Sequence, residues 1–466
     1  MKKLIFKLIL PIICNILSII LIIFIYKLNM IPNKYLYLCI FVLLNINIIN
    51  IFLFMSKKRL FKIISILLSI MIIITSLFGI FYTDKVNTLL SKAFNNNKIE
   101  ITGYGVIVLK NSNYNELKDL TNKKIGYLSI NDNEYVDLID IKGELIKYQN
   151  VYTLYEDLLN KKIDSMIIDK AYLDLLEDEY SELFNNIKVI HTYSLETKLE
   201  NTNIISNLDS INIFISGSDA RTDTIAERSR SDVNMIMTVN PKTHTILLTS
   251  IPRDYYVQLH NRTGLKDKLT HAGIYGVNMS KDTVADLFDI KIDYSIKVCF
   301  NSVVEVVDLI GGIDVYSDKT FNSYHIKGWV VPEGMNHFNG REALAYSRER
   351  YAYTDGDIHR VQNQQQVLEA IIEKIIKDKT ILKRYDQILE SFSNLYRTDI
   401  SEDYIKLIVK DQLTNMSDWT VERQYVTGSG AMLETYSMPG RNLWVMIPNE
   451  ESMNKAKTKL NEVYNG

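Results

Sequence analysis

The sequence predicts an α/β protein carried on three N-terminal membrane-spanning helices, and three observations predict it. Charge-free apolar runs are confined to the first 82 residues, short apolar strands alternate with helices through the rest, and arginine and aspartate cluster where those strands end. At 466 residues the chain exceeds what one core usually organises, so two or three folded units are expected.

The apolar runs cover residues 8–26, 35–55 and 63–82. Each is as long as a helix must be to cross roughly 30 Å of hydrocarbon. Pro11, Asn15, Asn45, Asn47 and Asn50 fall inside them; a helix satisfies its own backbone there, and polar side chains find partners on neighbouring helices. The first run lacks the small-residue cleavage site of a signal peptide.

Lys2, Lys3, Lys7, Lys57, Lys58, Arg59 and Lys62 flank one side of these spans, against Lys27 and Lys34 on the other. That asymmetry puts the N-terminus in the cytoplasm and, after three crossings, everything beyond Tyr82 outside it.

Cys14 and Cys39 lie within spans, which leaves Cys299 alone in the exported body; no intrachain disulfide is expected there, and Cys299 reads as strand filler rather than a nucleophile. A net charge of −2 with no recognition module gives no reason to expect nucleic acid as a partner.

Residues 83–100 are rich in Asn and Lys and read as a linker. Strand and helix patterns then alternate from Gly105 to about residue 196, which predicts a small α/β accessory domain over 101–205. Asp164, Asp169 and His191 in it read as turn or strand residues, so the domain looks structural or substrate-shaping.

Residues 206–466 read as a second, larger domain with a central sheet covered by helices. Strands are expected at 211–215, in MIMTVNP, in HTILLTSI and in IDYSIKVCF, and a long helix from Arg360 to Lys379.

Three clusters in this part call for a physical explanation. Asp219, Arg221, Asp223, Arg228, Arg230 and Asp232 follow the first strand, Arg253 follows the third in SIPRD, and Arg348, Arg350, Asp357, Arg360 and Gln364 fill the stretch before and into the long helix. Such residues singly are often surface ion pairs. Converging at strand ends, they suit a strongly anionic ligand, because the guanidinium fork matches phosphate oxygens and stays charged. Interleaved aspartates suit a hard divalent cation, Mg²⁺ or Mn²⁺. No P-loop or dinucleotide glycine motif is present. His271 reads as a structural polar residue, and Tyr255 and Tyr256 as packing or ligand-facing residues.

GSDARTDTIAERSRSD, MTVNP, SIPRDYYV, DKLTHAGIYG, IDYSIKV, LIGGIDV, GMNHFNGREALAYSRER and TDGDIHRVQNQQQV, in this order between Ile211 and Lys379, resemble the motifs of the LytR-CpsA-Psr family of Gram-positive cell-envelope proteins. The resemblance implies a mixed-sheet α/β/α catalytic domain with an apolar pocket for a polyprenyl chain. It also implies transfer of a glycopolymer, such as teichoic acid or capsular polysaccharide, from a polyprenyl-pyrophosphate carrier to peptidoglycan at the membrane surface.

Carried over residue by residue, Asp219 and Asp232 resemble the metal aspartates. Arg230, Arg253, Arg348 and Arg350 resemble pyrophosphate contacts, and Asp357, Arg360 and Gln364 the far wall of the head-group site, with Arg221 as an addition. Ile358 and His359 stand where many relatives have arginine and glycine, which puts loop shape and acceptor contacts in question. A polyprenyl-pyrophosphate hydrolase and a non-enzymatic envelope scaffold or attenuator are the competing expectations; the polymer, the oligomeric state and the accessory domain's role are not readable.

Overall fold

The computed structural model describes residues 2–95, 99–128, 141–179, 185–198, 207–218, 228–354, 356–378, 390 and 395–466. They fall into two compact units, one of residues 1–96, 204–209 and 400–418 and one of residues 97–203, 210–399 and 419–466.

In the first unit, α1 (Lys2–Leu28), α2 (Asn33–Met55) and α3 (Arg59–Asn95) are long and apolar enough to cross a membrane. Their polar side chains are satisfied in two ways. Asn15 and Asn45 donate to carbonyls one turn back, Pro11 O and Phe41 O, each at 2.8 Å. Asn47 donates both to Leu43 O one turn back and to Ser18 of α1 at 2.9 Å, and Asn50 both donates to Ser69 and accepts from Ser65 of α3. The second pair therefore stitches α2 to both neighbours, where an unmet amide in lipid would be costly.

The helix α3 does not stop at Tyr82 but runs to Asn95, through most of the segment expected to be a linker. Val86, Leu89, Leu90 and Ala93 explain it: they recur at three- and four-residue spacing and are all buried. A later helix, α11 (Glu402–Asn415), packs along α3 in this unit, with Lys406 donating to Asn87 at 3.2 Å and Lys410 to Asn29 at 2.9 Å.

Among the described residues the second unit holds two sheets of more than two strands, beside four two-stranded pairs. Strands β1 (Ile99–Leu109), β2 (Lys124–Leu128), β3 (Glu144–Tyr148), β4 (Ser165–Asp169) and β5 (Ile187–Lys198) form the smaller, in the order β3-β2-β4-β1-β5. Alternation along β1 sends Val106 and Val108 to one face and Ile107 to the other. On that second face Ile107 meets α4 (Val151–Leu159) and α5 (Lys170–Glu179), through Leu154, Leu158, Leu175 and Leu176.

The larger sheet is built from β6 (Ile211–Ser218), β7 (Val233–Asn240), β8 (Thr245–Ile251), β11 (Tyr294–Cys299), β16 (Tyr396–Thr398) and β17 (Thr420–Tyr425), ordered β16-β11-β6-β7-β8-β17. β11 runs parallel to β6 and β17 parallel to β8, while β7 is antiparallel to both its neighbours. Consequently β6, β8, β11 and β17 all end at the same edge, and β7 begins there.

Between these strands lie β9 (Tyr256–Val257) paired with β10 (Asp267–Lys268), the one-turn helix α6 (Leu269–Ala272), and the helices α7 (Val277–Phe288) and α8 (Phe300–Leu309). The pairs β12 (Ile313–Ser317) with β15 (Gly334–Phe338) and β13 (Phe321–Asn322) with β14 (Val330–Val331) precede α9 (Gly340–Arg348) and the long helix α10 (Asp357–Lys377). Helix α10 begins three residues before the Arg360 expected from sequence and ends at Lys377. The hairpin of β18 (Gly428–Glu434) and β19 (Asn442–Pro448) and a last helix, α12 (Glu450–Asn465), complete the unit.

One buried cluster runs through both sheets, from Ile107 and Leu154 to Phe214, Ile236, Leu247 and Phe288. Polar contacts reinforce the junction. Glu100 on β1 is buried and accepts from Arg228 Nε and from the backbone N–H of Val277, each at 3.0 Å, while the Arg228 N–H donates to Ile101 O at 2.8 Å. Tyr172 of α5 meets the Tyr275 hydroxyl at 2.6 Å, and Tyr275 in turn meets Ser437 at 3.0 Å. Burial raises both phenols well above the usual tyrosine range, so they stay protonated donors.

Candidate functional site

The shared strand edge of the larger sheet is where this topology gathers chemistry, since side chains just past the carboxyl ends of parallel strands have rigid roots and open surroundings. The segment Ser229–Asp232 returns along the end of β6. Ser229 bonds Ser218 and Ser231 bonds Ser216, both at 2.7 Å, and the Asp232 N–H donates to Gly217 O at 2.7 Å. Both serines are buried, so the extended alternation leaves Arg230 and Asp232 on the opposite, half-buried side.

Behind this segment sits α6. The Ser231 N–H donates to Thr270 O at 3.0 Å, and a Cβ on Gly273 would lie 2.5 Å from Ser229 O and 2.7 Å from Ser231 N. Only glycine permits that approach, which gives the HAG sequence a structural reason. His271 and Asp267 are buried together with Nδ1 and Oδ1 2.6 Å apart, and Asp267 also accepts from Ser437. His271 is thus the structural polar residue its sequence context suggested.

Arg253 follows β8 and is fixed from its backbone, whose carbonyl accepts from Thr270 N–H at 2.8 Å. Its guanidinium donates from Nη1 to Asp232 Oδ1 at 2.9 Å and faces Asp254 at 3.5 Å, and Asp254 pairs further with Lys268 at 3.3 Å. Arg360, in the first turn of α10, joins Pro252, Arg253, Asp254, Tyr425, Val426 and Met446 around one small cavity of about 20 Å³. Two arginines more than a hundred residues apart therefore line the same hollow, with Asp232 held against one of them.

The other expected residues distribute differently. Arg348 ends α9 with its guanidinium 4.9 Å from the Phe300 ring centroid, and Phe300 follows Cys299, the residue paired with Ser218 at the site edge of β11. Arg350 lies over Tyr351 at 4.8 Å and donates to its hydroxyl at 2.7 Å. Between the two arginines, Glu349 is fully buried and accepts backbone N–H groups from Tyr324, Arg350 and Tyr351, which fixes the SRER turn. Gln364 is half-buried on α10. Asp219 and Arg221 lie outside the described residues, as does the side chain of Asp357, whose backbone opens α10. Next to it, His359 stacks on Tyr353 with centroids 3.3 Å apart, so the residue expected to alter loop shape is a packing group.

Arg228 belongs by sequence to the same cluster as Arg230 but pairs with Glu100, away from this edge. Tyr425, Asp254, Lys268 and Glu349 were not singled out from sequence. Tyr425 ends an unremarkable edge strand, and no local pattern marks a residue whose importance comes from the strand next to it.

Among the described residues no three His, Cys, Asp or Glu side chains gather as a metal-holding group. A hard divalent cation still suits the donor set, because Mg²⁺ keeps several waters and is commonly bound through one or two carboxylates plus phosphate oxygens. Asp232, a carboxylate only 11% exposed and paired with Arg253, is such a donor.

The sequence pattern of the LytR-CpsA-Psr family (LytR_cpsA_psr) matches residues 180–464, so α1–α3 and β1–β4 precede the matched region. The polyisoprenyl-teichoic acid–peptidoglycan teichoic acid transferase TagU of Enterococcus faecalis is 31% identical over 234 residues, covering 50% of this chain and 75% of the relative. TagU of Bacillus cereus is 32% identical over 246 residues, covering 51% and 78%. The crystal structure of B. subtilis TagV aligns at 28% identity and a TM-score of 0.47, covering 56% of this chain and 98% of that one.

Proposed function

The chain belongs to the LytR-CpsA-Psr family, and from that premise we propose that it transfers an anionic glycopolymer from a polyprenyl-pyrophosphate carrier to a sugar hydroxyl of peptidoglycan. The observation that carries this reading is the pairing of Arg253 and Arg360 around one hollow with Asp232 bound to Arg253. The TagU relatives are named as enzymes that join teichoic acid to peptidoglycan, and the donor set suits a pyrophosphate.

In this reading Arg253 and Arg360 grip the pyrophosphate, and Arg230, Arg348 and Arg350 extend the cationic surround. The acceptor hydroxyl attacks the phosphorus that stays with the glycopolymer. Its P–O bond to the carrier breaks, polyprenyl phosphate departs with the electron pair, and a phosphodiester joins polymer to peptidoglycan. A carboxylate of the cluster takes the hydroxyl proton, and the arginines lower the cost of charge on the leaving phosphate. Family membership implies divalent-cation dependence; Asp232 with Asp219 would hold Mg²⁺, or Mn²⁺, which when bound neutralises phosphate charge. Gln364 and Asp357 complete the far wall, and Arg221 adds to the cationic side.

The asymmetry of Lys and Arg in the span flanks supports a topology with the N-terminus in the cytoplasm and residues beyond about 82 outside. There the folded body meets a donor whose tail stays in the bilayer. We assign residues 1–82 to the anchor, 101–205 to an accessory domain and 206–466 to the catalytic domain.

The test is reconstitution of the full chain in detergent with a labelled polyprenyl-pyrophosphate-linked glycan and peptidoglycan. Mg²⁺-dependent appearance of label in peptidoglycan is expected. Label released only as free glycan phosphate, with or without acceptor, would establish a hydrolase instead.

A further inference from the structure

A second, larger cleft lies beside the arginine hollow and no step above uses it. It has a volume of about 620 Å³, within the roughly 300–1,000 Å³ that ligand clefts occupy. Helix α10, strand β17 and the first turns of α12 enclose it, and Gln362, Gln366, Tyr425, Asn449, Glu451 and Lys455 are among its walls. Tyr425 lines both this cleft and the hollow of Arg253 and Arg360, and Gln362 follows Arg360 by two residues on α10. The two spaces are therefore neighbours sharing a wall.

The lining chemistry narrows the ligand. Among the described residues of the lining Ala456 is the one aliphatic side chain, so a polyprenyl tail would leave amides and charges unmet there. Polyphosphate is also a poor match, because Glu451 offsets Lys455 and Arg423 is already paired with Glu369 at 3.1 Å. What remains suits a near-neutral ligand rich in hydroxyls and amides. A carboxamide side chain donates and accepts at once, as hydroxyl and acetamido groups require, and a tyrosine ring offers a face to a sugar.

The back wall is held firmly enough to select such a ligand. Gln365 is 2% exposed and donates to Leu248 O and Gln424 O, and Gln424 donates to Thr249 and to Ala456 O. These two amides are committed to the fold. Gln362, by contrast, has no hydrogen-bond partner among the described residues, nor has Lys455, and both face the cleft.

We propose that this cleft is the acceptor subsite, binding the N-acetylated sugars of a peptidoglycan strand and leading a hydroxyl past Tyr425 to Arg253 and Arg360. The inference rests on the phosphotransfer reading above and adds to it where the second substrate sits. The donor's own sugars share this chemistry, and the two sources separate kinetically.

In the full-length protein, Gln362→Ala combined with Lys455→Ala should raise KM for a soluble peptidoglycan oligosaccharide about tenfold, the loss of two hydrogen bonds, with KM for the lipid-linked donor changed less than about twofold. An unchanged acceptor KM overturns the proposal, and a raised donor KM overturns it in favour of the donor glycan. Calorimetric titration of a peptidoglycan tetrasaccharide gives an arm independent of turnover. Binding to the parent protein, weakened in the double variant, supports the cleft; equal binding or none overturns it. A parent protein that binds the tetrasaccharide but transfers nothing would count against the phosphotransfer reading alone.

Discussion

The two main sheets of the folded body both have paired carboxylates around them, yet they shield them to different degrees. Around the small sheet, apart from the buried Glu100, the carboxylates find their partners near solvent. Asp157 accepts from Lys162, which is 66% exposed and holds the carboxyl below its usual range, and Asp169 receives the Ala171 N–H. Asp164 accepts from Tyr114 and the Lys124 N–H. Around the large sheet the pairs are largely buried: Asp232 with Arg253, Asp254 with Lys268, Asp267 with His271 and Ser437. Solvated pairing contributes little and is replaceable, whereas buried pairing is costly to break and fixes geometry. Charge at a strand end thus signals chemistry only when the fold also shields it.

That contrast can be attacked from its strongest point downward. Arg253→Ala should lower transfer by a factor on the order of 10² or more, since charge stabilisation by a preorganised donor is worth that much. The labelled-polymer assay reads it, and activity within tenfold of the parent would remove Arg253 from the reaction. Glu100→Ala leaves Arg228 buried without its carboxylate and should cost about 3 kcal/mol of stability in chemical denaturation; a loss below about 1 kcal/mol would mean the junction is soft. Tyr172→Phe removes one hydroxyl from a buried chain and should cost about 1 kcal/mol. Asp164→Asn, on the small sheet, should change stability by less than about 1 kcal/mol and leave transfer intact. A larger effect there would erase the distinction between the sheets.

The smallest expected effect is a pH slope. Burial is the main cause that raises the Asp399 carboxyl above the usual carboxylate range. A raised folded-state pKa means the native state holds the proton more tightly than the unfolded one. Its contribution to stability is then fully present below the unfolded value and is lost as pH rises through the folded one. Denaturation midpoints of the parent should fall relative to Asp399→Asn across that interval; parallel profiles would show that Asp399 does not titrate this way.

Much of this architecture is legible in sequence because it rests on periodicity. The spans, the strands β6, β7, β8 and β11 and the helix α10 follow from apolar spacing, and they emerge within a few residues of expectation. The extension of α3 is masked in sequence because residues 83–100 taken together are rich in Asn and Lys, although Val86, Leu89, Leu90 and Ala93 carry a helical stripe. The site was legible as residue types but not as assignments. Arg228 and Arg230 stand two apart in one motif, and only the third dimension sends the first to Glu100 and leaves the second beside Asp232. Tyr425 and Glu349 matter through neighbours contributed by other elements, and sequence spacing says nothing about those.

The junction built on Glu100 also bears on how such a chain could change over evolutionary time. Gly276 sits at φ 107° with the Glu100 carboxylate 2.8 Å from where a Cβ would be, Arg228 answers the same carboxylate, and Tyr275 answers Tyr172. Three positions beside the large sheet are thus shaped by residues of the small one. Loss of the small sheet would strand an arginine and a phenol at a newly wetted surface, so insertion or deletion of that module calls for accompanying substitutions at 228, 275 and 276. In a descendant without the small sheet, those three sites are where inheritance should show relaxation first.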